Sequence, residues 1–235
     1  MKRRLQTFLA ACGVSSRRGA DTVIADGRVS VNGKIVLEKG FRIDTDTDIV
    51  AVDGKRLVLE EKAYYIVNKP KGYISTVRDP HATRTVVDLV PGKDARLFPV
   101  GRLDKDTTGL LLLTNDGDLA NQLMHPRFEI IKKYRAKVLE RLSAREISEL
   151  ESGISLDEAR TAPCRVSVIS SNERWTLLDI EIHEGKKRQI RRMFKAIGHP
   201  VIELARIEFA GLTLGTLKTG EFRRLSQAEV EQLKR

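Results

Sequence analysis

The chain has 235 residues, 31% charged and 41% hydrophobic, a composition typical of one large globular domain or two modest ones. No apolar run approaches the roughly 20 residues of a transmembrane helix, and Cys12 and Cys164 have neither zinc-site nor disulfide-framework spacing, which fits a reducing cytoplasm. The net charge of +10 favours a polyanionic partner, nucleic acid before an anionic membrane, with a merely basic enzyme as the alternative.

The first 60 residues predict a small α+β unit. An apolar stripe from Leu5 to Ala10 indicates a helix rather than a signal peptide, and Ser15 or Ser16 can cap a second helix. Asn32-Gly33 is a strong hairpin signal between two short β-type runs, and a further strand with a turn follows within 48–57. Residues 59–63 are a plausible linker.

From residue 63 onward, strands predominate and a few helices lie between them. The alternating and apolar runs predict strands at 63–69, 97–101, 110–116, 132–140, 164–170, 174–182 and 201–212. Helical patterns occupy 118–126, 143–153, 188–198 and 226–234, with a short helix at 85–90. Since no βαβ rhythm appears, we predict an α+β fold with a mixed, mainly antiparallel sheet flanked by helices.

The segment GRLDKDTTGLLLLTND, residues 101–116, places two carboxylates in a turn before a buried strand. A calcium loop is excluded, because Thr108 and Asn115 stand where such a loop needs acidic or amide ligands and a final Glu. Asp104 and Asp106 could act as a carboxylate pair, but spacing alone does not give their separation. A polar turn in which both aspartates act as caps explains the pattern equally well.

The segment 183–200 carries six basic residues between Lys186 and Lys195 around an apolar helical face. Such density repels itself unless phosphates or carboxylates lie nearby, although a solvated basic face is the ordinary interpretation. Ile190 and Arg191 are adjacent in this half-buried helix, so at least one arginine should point towards the core. A buried arginine needs an anionic partner, and Asp104 is a candidate.

Tyr134 lies in the middle of a predicted strand, between Lys133 and Arg135. It is either a core aromatic with a satisfied hydroxyl, or a ring for stacking a base and a phenol for moving a proton. In the N-terminal unit, four basic residues could form one edge for a phosphate backbone, or be scattered surface charge: Arg17, Arg18, Arg28 and Lys34.

These segments together resemble a known family. The phrase SSRRGADTVIADGRVSVNGK (15–34) resembles an S-four RNA-binding domain. The order YYIVNKPKGY, GRLDKDTTGLLLLTNDGDLA, KKYRAKV, GKKRQIRRMF and VIELARI is similar to bacterial ribosomal RNA pseudouridine synthases of the RsuA/RluB/RluE/RluF type. The resemblance covers essentially the whole chain. It implies an S-four-like α/β domain at 1–60 and a catalytic domain at 63–235.

The resemblance implies isomerisation of a uridine within RNA, without a cofactor or a metal. Asp104 would be the catalytic carboxylate, acting either as nucleophile or as base. Arg191 would stand beside it, offset its desolvation and hold its pKa down. Tyr134 would stack on the target base and take a proton from the ring carbon. Apolar walls around the base would come from Ile190 and Leu204.

The expected partner is ribosomal RNA, 23S in preference to 16S, either free or in a ribosome assembly intermediate, and the expected state is a cytoplasmic monomer. Residues expected to contact RNA or brace the loop are Arg17, Arg18, Arg28, Lys34, Lys69, Arg102, Lys186, Lys187 and Arg188. Two rival interpretations stay open: a non-catalytic RNA-binding protein, and a glycoside or nucleoside hydrolase that uses both carboxylates.

Overall fold

The computed structural model describes residues 1–79, 84–92, 95–157 and 159–234. They divide into two compact units. The first comprises Met1–Ala63 and two short segments that return to it, ending at Arg96 and Gly117; the second contains the rest of the chain from Tyr64 onward. Within the described ranges, no helix combines the length and apolarity needed to cross a bilayer.

The first unit is a small α+β fold, as the sequence predicts. Its elements are β1 (Lys2–Arg4), α1 (Leu5–Ala11), α2 (Arg17–Ala25), β2 (Val29–Val31), β3 (Lys34–Ile35), β4 (Arg42–Asp44), β5 (Val50–Val52) and β6 (Lys55–Arg56). Strands β3-β2-β5-β6 form one sheet, and β1 pairs with β4. The Ser16 hydroxyl accepts from the Gly19 amide and so caps α2. The turns at Asn32 and Asp53 both have a φ of 50°, as tight hairpins require.

The rest of the chain contains nine strands and four α-helices within the described ranges. The elements are β7 (Tyr64–Lys69), β8 (Phe98–Pro99), β9 (Thr108–Thr114), α3 (Gly117–Met124), β10 (Lys132–Leu139), α4 (Ala144–Ser152), β11 (Arg165–Ser171), β12 (Trp175–Ile182), α5 (Gln189–Ala196), β13 (Val201–Phe209), β14 (Leu212–Thr213), β15 (Phe222–Arg224) and α6 (Gln227–Leu233). The predicted helix at 85–90 is a 3₁₀ helix, Val86–Leu89.

One large sheet organises the second unit, in the order β11-β12-β10-β13-β9-β7-β15, with β14 on β13 and β8 on β9. Every pairing among the described strands is antiparallel except that of β9 with β13. This is the mixed, mainly antiparallel sheet that the sequence predicts. Strand β9 lies near its centre and Leu110–Leu113 are fully buried, which explains an apolar run without alternation.

Candidate active site

The loop that carries Asp104 is fixed through its backbone. The Lys69 ammonium, at the end of β7, donates to the Asp104 carbonyl at 3.0 Å and to the Thr107 carbonyl at 2.7 Å. The Ser75 hydroxyl accepts from the Leu103 amide and donates to the Leu103 carbonyl, at 3.0 and 2.8 Å. The Thr107 amide closes the turn by donating to the Asp104 carbonyl. Backbone bonds on both sides therefore hold the aspartate in a defined position.

The placement of Lys69 decides between the two roles expected for it, a phosphate contact and a brace of the loop. Its side chain is completely buried, so it braces the loop and has no surface with which to contact an RNA phosphate. A third carbonyl, that of Pro70, completes its set of acceptors. Burial lowers the pKa of Lys69 to about 8, although Asp106 and Asp104 oppose the shift. Ser75, the other side chain that holds the loop, has no sequence signal beyond its place after a Pro/Gly turn.

Gly109 allows β9 to approach β13 closely beside the loop. Its φ is +103°, and a Cβ there would lie 2.2 Å from the backbone oxygen of Arg206. Thr108 and Gly109 pair with Ala205 and Arg206 in the parallel register. The glycine is required both by its backbone conformation and by this contact.

Asp106, rather than Asp104, receives the arginines of the basic segment. Arg188 donates to both Asp106 carboxylate oxygens at 3.0 Å. The Arg191 Nε lies 3.3 Å from Asp106 Oδ2, and its Nη2 donates to the Asp106 carbonyl at 3.1 Å. The hydrogen bonds from Arg188 lower the pKa of Asp106 most, and the charge of Arg191 adds to this against partial burial. The expected pairing of Arg191 with Asp104 is therefore wrong.

Asp104 has fewer close partners than its neighbour, although the two side chains are about equally exposed. Its side chain is 36% exposed, and the Arg188 Nη1 lies 3.9 Å from its Oδ2. The carboxylate has a cation nearby and still faces solvent, so it can be reached by a ligand. The two aspartates, two residues apart, thus differ in their partners rather than in their exposure. Guanidinium groups lie 3.0 and 3.3 Å from the Asp106 carboxylate, whereas the nearest one lies 3.9 Å from that of Asp104.

A cavity of about 540 Å³, which we call the Asp104 cavity, brings most of the sequence-predicted residues together. Its predicted members are Arg102, Asp104, Tyr134, Lys186, Lys187, Arg188, Ile190, Arg191 and Leu204, and its further members are Leu103, Thr107, Ile182, Gly185 and Gln189. The side chains of Ile190 and Leu204 are buried there and supply apolar wall. A cavity of this volume, with apolar walls and convergent charges, suits a small organic group.

Helix α5 supplies one side of this cavity. Arg188 precedes it in the left-handed region, with a φ of 51°, and from there reaches Asp106. The Gln189 side chain joins the preceding turn by accepting from the Lys186 amide and donating to Glu184. Met193 and Phe194 are fully buried, so the apolar face of α5 is anchored and Arg191 is held at the cavity.

Tyr134 is buried in the middle of β10, opposite Ile180 of β12 and Arg206 of β13. The pairing with β13 shifts between Lys133 and Tyr134, a bulge of the kind that redirects side chains near functional sites. Arg206 is completely buried, which lowers the pKa of its guanidinium, and the neighbouring Tyr134 opposes part of the shift. The sequence analysis missed Arg206. The feature that could have identified it is a charged residue within a largely apolar strand.

The remaining predicted residues lie in the first unit. Arg17 and Arg18 open α2, and Lys34 begins β3; all three are exposed. Arg28 differs, because its guanidinium donates three hydrogen bonds to the Asp53 carboxylate. Its charge is therefore largely neutralised.

Known proteins match this chain along nearly its whole length. A family model for RNA pseudouridylate synthase matches residues 63–196, and a model for the S4 domain matches residues 3–50. Ribosomal large subunit pseudouridine synthase B of Bacillus subtilis is 45% identical over 233 residues, covering 98% of this chain and 95% of that protein. The Pseudomonas aeruginosa protein of the same name is 36% identical, and the match covers 98% of this chain and 61% of that protein.

A solved structure agrees with these relatives. A crystal structure of a pseudouridylate synthase superposes with a TM-score of 0.71 at 29% identity, covering 98% of this chain and 99% of the other. The family match spans more than half of the residues, and the identity to an enzyme of this type extends from end to end. The chain therefore belongs to the RNA pseudouridylate synthase family, as an isomerase with an N-terminal S4 domain.

Proposed function

We propose that this enzyme converts one uridine of large-subunit (23S) ribosomal RNA to pseudouridine, with Asp104 as its catalytic carboxylate. Residues 1–60 would bind RNA and residues 63–235 would carry out the reaction. The names of the Bacillus subtilis and Pseudomonas aeruginosa relatives support the large subunit as the source of the substrate. The net charge of +10 suits a long polyanion.

The observation that carries the proposal is the contrast between the two aspartates. Asp106 is engaged by Arg188 and Arg191, whereas Asp104, at a similar exposure, lines a cavity that includes Tyr134 and not Asp106. In the reaction, the bond between the sugar and the ring nitrogen breaks, the base turns, and a bond to a ring carbon forms. One carboxylate suffices for this exchange, either by attacking the substrate or by removing a sugar proton. No electrons are gained or lost, so no redox cofactor is needed.

Arg188 and Arg191 would act around Asp104 in different ways. The Arg188 guanidinium lies 3.9 Å from the Asp104 carboxylate, while Asp106 holds that guanidinium in place. Arg191 binds the Asp106 carbonyl and so would position the loop rather than the carboxylate itself. We therefore assign Arg191 a positioning role and Arg188 the direct electrostatic one.

The base of the target uridine would enter the Asp104 cavity between the Tyr134 ring and the apolar surface of Ile190 and Leu204. A base inside folded RNA must leave its stack to reach such a site, at a cost of a few kcal/mol that backbone contacts offset. Tyr134 would stack on the base and accept the proton that leaves the ring carbon after reattachment. Backbone contacts would come from Arg102, Lys186 and Lys187 at this cavity, and from the exposed S4-domain cations. The setting would be a monomer in the cytoplasm.

The test is pseudouridine mapping of large-subunit RNA treated with the purified enzyme and its variants. Asp104→Asn should lower the rate on the order of 10⁴-fold or more, since it removes the reacting group, while RNA affinity stays unchanged. Asp106→Asn should retain substantial activity, because an amide oxygen still accepts hydrogen bonds from Arg188.

Two results would contradict the proposal. Equal loss of activity in both variants would favour a two-carboxylate hydrolase, and release of free uracil would support that reading. RNA binding without any conversion by the wild-type enzyme would favour a non-catalytic RNA-binding protein.

A further inference from the structure

A second cavity of about 810 Å³ adjoins the Asp104 cavity within the same unit. We call it the Arg206 cavity, after the residue at its wall. The two cavities share Arg102, Tyr134, Gly185 and Lys186 as lining residues, so Tyr134 forms part of both walls. The volume lies within the range of about 300–1,000 Å³ that is usual for ligand sites. The proposed chemistry uses only the first cavity.

The wall of this cavity contains an unused hydrogen-bond donor. Arg206 donates from Nε to the Leu110 carbonyl at 2.8 Å, and its guanidinium lies over the Phe209 ring at 4.7 Å. Its Nη2 is buried and has no hydrogen-bond partner within the described ranges. Leaving such a buried donor unsatisfied is unfavourable, so an acceptor that enters the cavity and reaches it would be favoured.

The apolar part of the lining suits a flat ring. Leu123 and Phe209 are buried there, and Ile130 packs against the same apolar cluster. Arg102, Lys132 and Lys186 also line the cavity beside Glu184, so its charged part suits the phosphates that flank such a base. An apolar surface with one free N–H donor matches a base that carries a ring carbonyl: uracil, cytosine or guanine.

We propose that the Arg206 cavity binds the base of a nucleotide adjacent to the target uridine in the same RNA strand. Its carbonyl oxygen accepts a hydrogen bond from the Arg206 Nη2. The inference rests on the proposed function, because it takes the occupant of the Asp104 cavity to be a uridine of an RNA strand. Continuity of the two cavities at Tyr134 supports a neighbouring nucleotide as the occupant, and adenine, which lacks a carbonyl, is disfavoured.

The test uses an RNA fragment that contains the mapped uridine, with a single abasic nucleotide placed at either neighbouring position. An abasic nucleotide keeps the phosphate and removes the base. Since Arg206 is fully buried, its replacement risks the fold, and the variant is Val77→Trp instead. Val77 lines the Arg206 cavity and not the Asp104 cavity, and it is 36% exposed. The control is Val168→Trp, at a 44% exposed position that lines neither cavity.

For the wild-type enzyme, one of the two abasic substitutions should raise the Kd for RNA about tenfold, the typical value of one stacked base. Val77→Trp should raise the Kd for intact RNA by a similar factor and no longer respond to the abasic substitution. Val168→Trp should behave as the wild type in both measurements.

The proposal is overturned if the wild type tolerates both abasic substitutions, or if Val77→Trp responds to them as the wild type does. If the cavity bound the phosphate rather than the base, the abasic substitutions would leave the Kd unchanged, because they keep the phosphate. Conversion of the uridine is measured separately, so a fragment that binds but is not converted counts against the proposed function instead.

Discussion

The buried Lys69 side chain fixes the position of the loop that carries Asp104. A lysine in a Pro/Gly turn would ordinarily be expected at the surface, yet here its ammonium is buried among three carbonyls. The side chain acts as a cross-link between the end of β7 and the loop before β9. A rigid loop keeps the carboxylate in one orientation, which favours catalysis by reducing the reorganisation needed during reaction.

Lys69→Met should lower kcat about ten- to hundredfold, because the loop loses its brace and small misplacements of a reacting group have effects of this size. The Kd for RNA should stay within about threefold, since the buried side chain contacts no ligand. Steady-state kinetics and a binding titration would measure both quantities. Lys71→Met, at the exposed lysine of the same turn, is the control and should keep the wild-type kcat. An Lys69→Met enzyme with weaker binding and unchanged kcat would restore the phosphate-contact role.

The lowered pKa of Lys69 gives the wild-type protein a pH-dependent stability that this variant should lack. Burial lowers the pKa from 10.5 to about 8, so between these values the unfolded chain holds a proton that the folded protein has released. The free energy of unfolding contributed by this group therefore rises with pH across that interval. Lys69→Met should lack this rise. Denaturant titrations at several pH values from about 7.5 to about 9.5 would measure it, because the pKa of Lys69 is about 8 in the folded protein and 10.5 in the unfolded chain.

The sequence patterns identified the residues of the candidate site better than they identified which side chains contact one another. Asp104, Tyr134 and Ile190 lie in different segments of the sequence, and the structure places all three around one cavity. Which aspartate meets Arg191 depends on the conformation of the turn between them, and spacing does not encode that conformation. The same holds for Arg206, which matters because it lies opposite Tyr134 on the neighbouring strand.

At the scale of elements, the parallel contact between β9 and β13 joins the loop to the rest of the sheet. Gly109 and Arg206 approach so closely there that even a methyl group has no room. The contact links the strand after Asp104 to the strand that carries Leu204 and Arg206. The close contact between the Gly109 and Arg206 backbones therefore positions two walls of the Asp104 cavity.

Gly109→Ala should destabilise the enzyme by at least about 2 kcal/mol, from the positive φ together with the clash against backbone. Thermal unfolding would measure the loss. Gly220→Ala is the matched control, with a φ of +88° and nothing within 4 Å of the added Cβ. It should cost only the strain of the backbone conformation, about 1 kcal/mol. Equal effects of the two substitutions would show that close approach does not matter at Gly109.

The elements that the sequence failed to predict are short. Strands β1, β4, β14 and β15 contain three, three, two and three residues, too few for an alternating pattern to show. Strand β15 extends the large sheet by pairing with β7, a neighbour distant in the sequence. By contrast, α4 and α6 begin with capping boxes at Ser143 and Ser226, a local signal that the sequence reveals directly.

At the scale of the whole molecule, surplus positive charge is spread over both units. Arg17, Arg18 and Lys34 are exposed in the first unit, and Lys187 is exposed at the Asp104 cavity in the second. Cations that neutralise RNA phosphates release counterions, so their number sets how steeply affinity falls with salt. The first unit should thus contribute affinity without affecting the chemical step.

Joint replacement of Arg17, Arg18 and Lys34 by alanine should weaken RNA binding and reduce the slope of log Kd against log salt by roughly two, at about 0.7 per phosphate contact. The kcat should not change. Arg28→Ala is the comparison, since Asp53 already neutralises that side chain, and it should leave the slope nearly unaltered. A salt series of binding titrations would decide, and an unchanged slope in the triple variant would exclude these residues from the interface.

The parallel pairing of Thr108 with Ala205 also has a consequence for the order in which the chain acquires activity. Contacts between residues so distant in sequence carry a large loop-closure entropy and form late in folding. During synthesis from the N-terminus, strands β2 and β5 of the first unit can pair early, because their residues emerge together. Asp104 would acquire its fixed orientation only after β13 has emerged, so we expect the nascent chain to gain RNA affinity before it gains catalysis.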